Sequence, residues 1–138
     1  DIGNGDCLAF FWFPNAPAAQ PGVSNPGGLP GHPDFVTAHA SMNHVAFSVP
    51  VEKFDEYYDK LKAKGIEVSP ILNHDNSKYQ VSATVHEGVF VRSVYFFDPD
   101  GVCLEFACWT RAFTEADVEH EPMTAEGMRA RLVAEPAE

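Results

Sequence analysis

The sequence predicts an α+β domain, because strand-like segments and one amphipathic helix alternate along its second half. Residues 89–97 and 102–109 are rich in β-branched and aromatic side chains, which is typical of strands. Between them lies Asp98-Pro99-Asp100-Gly101, a tight turn in which Pro presets φ and Gly accepts a positive φ. Upstream, residues 50–64 place apolar side chains at helical spacing. A hairpin and a helix of this kind favour a mixed architecture.

Composition limits the classes of function. At 138 residues and 45% hydrophobic content, the chain is long enough for one domain with a real core. Its net charge of -11 and its pI of about 4.8 argue against a nucleic-acid groove or an anionic membrane surface. No apolar run predicts a membrane span, and no signal-peptide pattern is present. Three cysteines form neither an even disulfide framework nor a zinc-finger pattern, so we expect reduced thiols in a cytoplasmic protein.

The first third of the chain has two parts. Residues 1–13 begin with a Gly-rich turn and continue as an apolar strand. Their segment 5–10 aligns with 101–106, which indicates an internal repeat, although a match this short is also open to chance. Residues 14–41 are rich in Pro and Gly, which predicts an extended linker with little regular structure.

A strand and a helix follow the linker. Residues 42–49 alternate in the manner of a strand. His44 shares its face with the small side chains of Ala46 and Ser48, which leaves room for a ligand. A lone His on a strand is otherwise most often a satisfied core or surface residue. Residues 50–64 then form the predicted helix, which begins at a Pro and ends before a Gly.

The remaining segments have weaker patterns. Residues 66–72 predict a short strand at an edge, and residues 74–76 predict a turn. Residues 77–85 fit either a loop or a short strand. After the hairpin, residues 111–138 form a polar, acidic tail, in which a helix is predicted over 125–133.

The segment around the predicted hairpin contains three chemically active groups. Cys103, Glu105 and Ala107 share one face of its second strand. A carboxylate in the middle of an apolar strand is costly to bury unless it is paired or binds a metal. Tyr95 lies on the first strand, and His86 comes just before that strand. One short segment therefore contains an imidazole, a phenol and a carboxylate that a hairpin could bring together.

This segment resembles the signature of the type I extradiol ring-cleavage dioxygenases, in the vicinal oxygen chelate superfamily of glyoxalases, bleomycin resistance proteins and dioxygenases. The His, the Tyr, the acidic-Pro-x-Gly turn and the Glu of that signature correspond to His86, Tyr95, residues 98–101 and Glu105. The wider superfamily shares the turn and the Glu, so His86 and Tyr95 are the residues that distinguish a dioxygenase from a glyoxalase. The resemblance implies paired βαβββ modules that form a cupped mixed β-sheet around a divalent metal.

The implied organisation has four parts: 1–13 as the last strand of a first module, 14–41 as linker, 42–110 as the second module and 111–138 as tail. The resemblance further implies that His44 and Glu105 ligate Fe(II), two members of a His₂-carboxylate triad. In it His86 acts as acid and base, and Tyr95 hydrogen-bonds a substrate-derived oxygen. Counting back from Ala9 by the separation of His44 and Glu105 places the third ligand, the His of the first module, before residue 1. We therefore expect an N-terminal extension or another chain to supply it, or the site to be incomplete. Ala9 has no donor atom, which fits the dioxygenase pattern better than the glyoxalase pattern.

The implied function is an Fe(II)-dependent extradiol-type dioxygenase that cleaves a catechol-like aromatic with O2. Mn, Zn and Ni stay open as the metal. One alternative is a glyoxalase-like metal-dependent isomerase, lyase or thiol transferase. Another is a non-catalytic protein that binds a small molecule. We expect a homodimer, since one module is incomplete, and we expect neither nucleic acid nor a membrane as partner.

Overall fold

A four-stranded mixed sheet with one helix on one face forms the second half of the chain. The computed structural model describes residues 2–3, 7–9, 14–15, 42–77 and 80–117. The elements are β1 (Val45–Ser48), a 3₁₀ turn (Val51–Lys53), α1 (Phe54–Ala63), β2 (Leu72–His74), β3 (Val91–Phe97) and β4 (Cys103–Trp109). The strand order is β1-β4-β3-β2, in which β1 runs parallel to β4 and the other pairs are antiparallel. The predicted α+β class and the mixed sheet are confirmed.

Helix α1 forms where the helical apolar pattern meets the sheet. Phe54 is fully buried and packs with Val94 and Cys108. The helix ends before Gly65, whose φ of +72° is unfavourable for residues with a side chain. The predicted helix over 50–64 is confirmed, with its first turn in 3₁₀ form.

The sheet has two chemically different faces. In the pairing of β3 with β4, Tyr95 lies opposite Glu105, and in the pairing of β1 with β4, Ala46 lies opposite Glu105. Side chains alternate along a strand, so these residues share the face away from α1. We call it the inner face; its members include Ala46, Leu72, His74, Ser93, Tyr95, Cys103 and Glu105. The opposite face packs on the helix.

The turn between β3 and β4 has the predicted chemistry. Gly101 adopts a φ of +89°, and its N–H donates to the carbonyl of Asp98 at 3.1 Å. The Asp98 carboxylate accepts the N–H groups of Asp100 at 2.9 Å and Val102 at 2.8 Å. These bonds hold the five-residue connection between β3 and β4, residues 98–102, which sets the register of the hairpin.

One strand is misplaced in the sequence-based prediction. The predicted strand over 66–72 is wrong for most of its length: Val68 forms only an isolated bridge to Phe96. Pro70 follows, and Pro has no N–H to donate to a ladder. Strand β2 begins at Leu72, and the predicted turn is wrong for His74, whose carbonyl accepts the N–H of Phe90 at 2.9 Å.

Other predictions fall largely outside the described residues. The predicted linker is described only at residues 14–15, and the predicted helix over 125–133 is not described. In the predicted first strand, residues 7–9 have no strand assignment and most others lie outside the described ranges. The three cysteines are free thiols. Within the described ranges, no helix is long and apolar enough to cross a membrane.

Candidate functional site

An imidazole and a carboxylate meet directly on the inner face. His44 Nε2 lies 2.7 Å from Glu105 Oε2, and the Glu105 side chain is only 7% exposed. His44 lies just before β1, and its ring is oriented by a 2.7 Å contact between Nδ1 and the Asn43 amide oxygen. The register of Ala46 with Glu105 brings this end of β1 beside the middle of β4.

Tyr95 completes this cluster from the neighbouring strand. It is the cross-strand partner of Glu105, and its ring stands edge-on to His44 with centroids 5.3 Å apart. Burial, and then the negative charge of Glu105, raise the pKa of the Tyr95 phenol above its ordinary value. The phenol therefore stays protonated at neutral pH and can donate a hydrogen bond without carrying charge.

Glu105 is ionised in this environment despite its burial. Burial by itself raises the pKa of a carboxylate, but the hydrogen bond with His44, the nearby Ser93 hydroxyl and the electrostatic effect of the neighbouring imidazoles outweigh it and lower the pKa of Glu105. The carboxylate is thus available as an anionic ligand or acceptor. Sequence reasoning placed His44, Tyr95 and Glu105 as site residues, and the structure brings these three together.

His86 lies in a different network. Its Nε2 is 2.9 Å from Asp75 Oδ2 and 3.1 Å from Ser82 Oγ, while Nδ1 accepts the N–H of Gly88 at 3.0 Å. Both ring nitrogens therefore have protein partners. Within residues 42–77 and 80–117, no hydrogen bond or ring contact joins His86 to Glu105. The structure does not bring this predicted acid and base into the cluster around Glu105.

His74 is an inner-face imidazole that the sequence did not indicate. Its strand neighbour on that face, Leu72, packs against Tyr95 and Cys103. Burial lowers the pKa of His74, while a bond to the Gln80 main chain and the charge of Glu105 raise it, and the net change is downward. The ring is therefore neutral near pH 7. The alternation from Leu72 would have shown its orientation if the strand had been placed correctly.

The His44–Glu105 pair fits two positions of a divalent metal site. Imidazole nitrogen and carboxylate oxygen are common ligands of Fe, Mn and Zn. The Asn43 oxygen at the other ring nitrogen of His44 is the kind of partner that orients metal-ligating His residues. The described part of the chain contains no group of three His, Cys, Asp or Glu side chains that could hold an ion. The donor set there is a pair, one ligand short of a facial triad.

Comparisons with known proteins agree with this architecture. The model of the Glyoxalase/Bleomycin resistance protein/Dioxygenase superfamily matches residues 1–106. The fosfomycin resistance protein FosX of Listeria innocua is 35% identical over 70 residues, which cover 51% of this chain and 44% of that protein. The chain thus spans less than half the length of this curated relative.

Solved structures are similar over comparable stretches. FosX from Listeria monocytogenes, complexed with Mn(II) and sulfate, is 31% identical, with a TM-score of 0.36 over 51% of this chain and 46% of that one. A glyoxalase/dioxygenase from Nostoc punctiforme is 19% identical, with a TM-score of 0.45 over 73% of this chain and 51% of that one.

Proposed function

The chain belongs to the glyoxalase/bleomycin resistance protein/dioxygenase superfamily, and we propose that it contributes the inner face of a divalent-metal-dependent enzyme acting on a small molecule. The observation that carries the proposal is the direct 2.7 Å pairing of His44 Nε2 with Glu105 Oε2, with Tyr95 against both. A buried carboxylate paired with one imidazole and flanked by a neutral phenol suits ion binding beside a substrate.

In this proposal His44 and Glu105 hold the ion, and Fe(II) is the metal we favour. When bound, such an ion supplies Lewis acidity and open positions for adjacent substrate oxygens. Asn43 keeps the His44 ring in its ligating orientation through the contact at Nδ1. Tyr95 donates its phenolic hydrogen to an oxygen of the substrate, because its pKa is raised and it remains protonated.

The reaction we propose is extradiol-type cleavage of a catechol-like aromatic with O2. Support comes from Tyr95, which matches the Tyr of the dioxygenase signature in the sequence and lies opposite Glu105 and beside His44. His86 supports it less well, since its acid–base role requires one ring nitrogen to leave Asp75 or Gly88. The role of His86 therefore depends on rearrangement of its loop.

Oxygen uptake tests the proposal. The protein is loaded anaerobically with Fe(II), mixed with a panel of catechols and exposed to O2. We expect uptake with a yellow ring-opened product, and loss of both in His44→Ala and Glu105→Gln. Glu56→Gln is the matched control, because Glu56 is an exposed carboxylate on α1 whose partners are lysines. Activity that survives Glu105→Gln would refute the proposed ligand.

A second candidate function is a Mn(II)-dependent activity on fosfomycin. It is favoured by the 35% identity to a fosfomycin resistance protein and by the engagement of both ring nitrogens of His86. The discriminating assay incubates the Mn(II)-loaded protein with fosfomycin and follows consumption of the antibiotic. Consumption of fosfomycin without O2 uptake on catechols would replace the dioxygenase proposal.

We also propose that the complete site forms in a homodimer. The described residues contain no group of three ligand side chains, and in this proposal a second copy supplies the third ligand. Strands β1 and β2 lie at the two edges of the described sheet, where further strands can pair. Light scattering with and without metal measures the assembly. A monomer in both states at micromolar concentration would contradict the dimer.

A further inference from the structure

Ser93 places a fully buried hydroxyl on the inner face. Its exposure is 0%, and its Oγ has no hydrogen-bond partner of normal geometry among the residues that the structure describes. Buried hydroxyls nearly always have a partner, because burial without one costs free energy. Alanine would fit the same position between Leu72 and Ala107 without this cost. The stability of the described state therefore does not explain why a hydroxyl is present at this position.

The surroundings of Ser93 show where its hydroxyl could act. Ser93 lies two residues before Tyr95, and Tyr95 is the cross-strand partner of Glu105. The hydroxyl is near enough to lower the pKa of both Glu105 and Tyr95, although it forms no hydrogen bond of normal geometry with either. The Glu105 carboxylate, which is paired through Oε2 with His44, is thus a charged acceptor beside this donor.

Metal binding would change which groups donate hydrogen bonds to that carboxylate. To ligate an ion through Nε2, His44 must give up the N–H at that atom, so Glu105 loses its donor. Carboxylates that ligate metals are themselves hydrogen-bonded, and loss of such partners weakens metal affinity. Among the described residues, Ser93 is the buried inner-face donor that has no hydrogen-bond partner.

We propose that Ser93 is a positioning residue, whose hydroxyl donates to the Glu105 carboxylate when that carboxylate binds the metal. This inference rests on the proposed metal site and assigns its supporting donor. The hydroxyl has no partner within the described part of the chain while His44 is hydrogen-bonded to Glu105. When the ion replaces the hydrogen on His44 Nε2, the Ser93 hydroxyl donates to the Glu105 carboxylate instead. The cost of an unpaired buried group in the metal-free state is offset by tighter binding of the ion.

Two serine variants separate this role from a structural one. Ser93→Ala removes the unpaired hydroxyl, whereas Ser69→Ala removes a buried hydroxyl that accepts the Tyr95 N–H and donates to the Pro70 carbonyl. Calorimetric titration with Mn(II) gives the affinity of each variant, and thermal unfolding without metal gives its stability. We expect Ser93→Ala to bind Mn(II) about 10–100-fold more weakly with an unchanged or higher Tm. We expect Ser69→Ala to show a lower Tm and unchanged affinity.

The outcomes distinguish this inference from the proposed function. If the wild type binds Mn(II) and Ser93→Ala binds it within about twofold of the wild type, the role of Ser93 is refuted and the metal site stands. If Ser93→Ala loses Tm and affinity together, Ser93 has a structural role and the inference is also refuted. If the wild-type chain binds no metal, the proposed function and this inference fail together.

Discussion

Asp75 organises the loop that contains His86. The variant Asp75→Asn tests how much this network contributes to the free energy of unfolding. Asp75 Oδ1 accepts the N–H of Ser77 at 3.0 Å and its hydroxyl at 2.6 Å. Oδ2 accepts the hydroxyl of Ser82 and the Nε2–H of His86, the latter at 2.9 Å. Burial raises the pKa of Asp75, but these bonds outweigh it and hold that pKa well below its usual range. The side chain is 4% exposed, so water cannot replace its partners.

The partners of Asp75 determine how much stability we expect Asp75→Asn to lose. Asn keeps an acceptor for Ser77 but presents an amide NH2 where Oδ2 accepts two bonds. Ser82 can rotate its hydroxyl to accept, but His86 cannot, because Nδ1 accepts from Gly88 and Nε2 therefore carries the hydrogen. A hydrogen bond to a charged group contributes about 1.5–3 kcal/mol. His86 is 46% exposed and regains water, so we expect Asp75→Asn to destabilise the protein by about 2–4 kcal/mol.

Urea unfolding at neutral pH measures this loss. Asp55→Asn is the control, since Asp55 is 71% exposed and its single ion pair with Arg92 contributes at most about 1 kcal/mol. A loss below about 1 kcal/mol in Asp75→Asn would refute the network as an organiser of the loop.

The difference in stability between wild type and Asp75→Asn depends on pH in a defined way. The folded pKa of Asp75 is lowered, so its stabilisation is fully present above its unfolded pKa of about 3.9 and is lost as the pH falls further. The stability difference between wild type and Asp75→Asn should therefore narrow below about pH 4. A difference that stays constant in acid would show that the charge of Asp75 is not the cause.

Three further predictions concern single sites. Gly88→Ala would place a Cβ 2.9 Å from Cε1 and 3.1 Å from Nδ1 of His86, so we expect a loss of about 1–3 kcal/mol and a shifted His86 ring resonance in NMR; an unshifted resonance would contradict the placement of the ring. In Gly101→Ala the new Cβ meets nothing within 4 Å, so the φ of +89° alone should cost about 1–2 kcal/mol in urea unfolding, and a neutral result would contradict the turn. Cys7 is exposed, whereas burial raises the pKa of Cys103 to about 11; a thiol reagent at pH 8 should therefore modify Cys7 at once and Cys103 only after unfolding, as peptide mass spectrometry would show.

The hairpin was predictable because its geometry is local. The turn at 98–101 is recognisable from its residues, whereas the register follows from the Asp98 N–H, which donates to the Val102 carbonyl. Counting outward from that pair places Tyr95 opposite Glu105. Alternation then predicts that both side chains share a face. His44 required the family resemblance, since nothing in its local sequence shows that β1 runs parallel beside β4.

The errors lie where non-local pairing overrides local signals. Strand β2 has only three residues and is flanked by Pro70 and by turn-forming residues, so its sequence favours a loop. It is a strand because β3 pairs with it, through the register of Leu72 with Ser93. The network at His86 depends on a closure between Asp75 and a residue 11 positions away, and no local pattern predicts such a contact.

The position of each candidate residue in the fold determines how strongly it supports the proposed function. Glu105 and Tyr95 lie on β4 and β3, and His44 immediately precedes β1. These three strands are consecutive in the sheet. Backbone pairing holds neighbouring strands about 5 Å apart, so their inner-face side chains converge whatever the loops do. His86 reaches its position through loop contacts alone, and its ring is committed to them. Sites on paired strands are held more precisely than sites on loops, and so the proposed function rests on Glu105 and Tyr95 and on His44, which adjoins β1 and contacts Glu105.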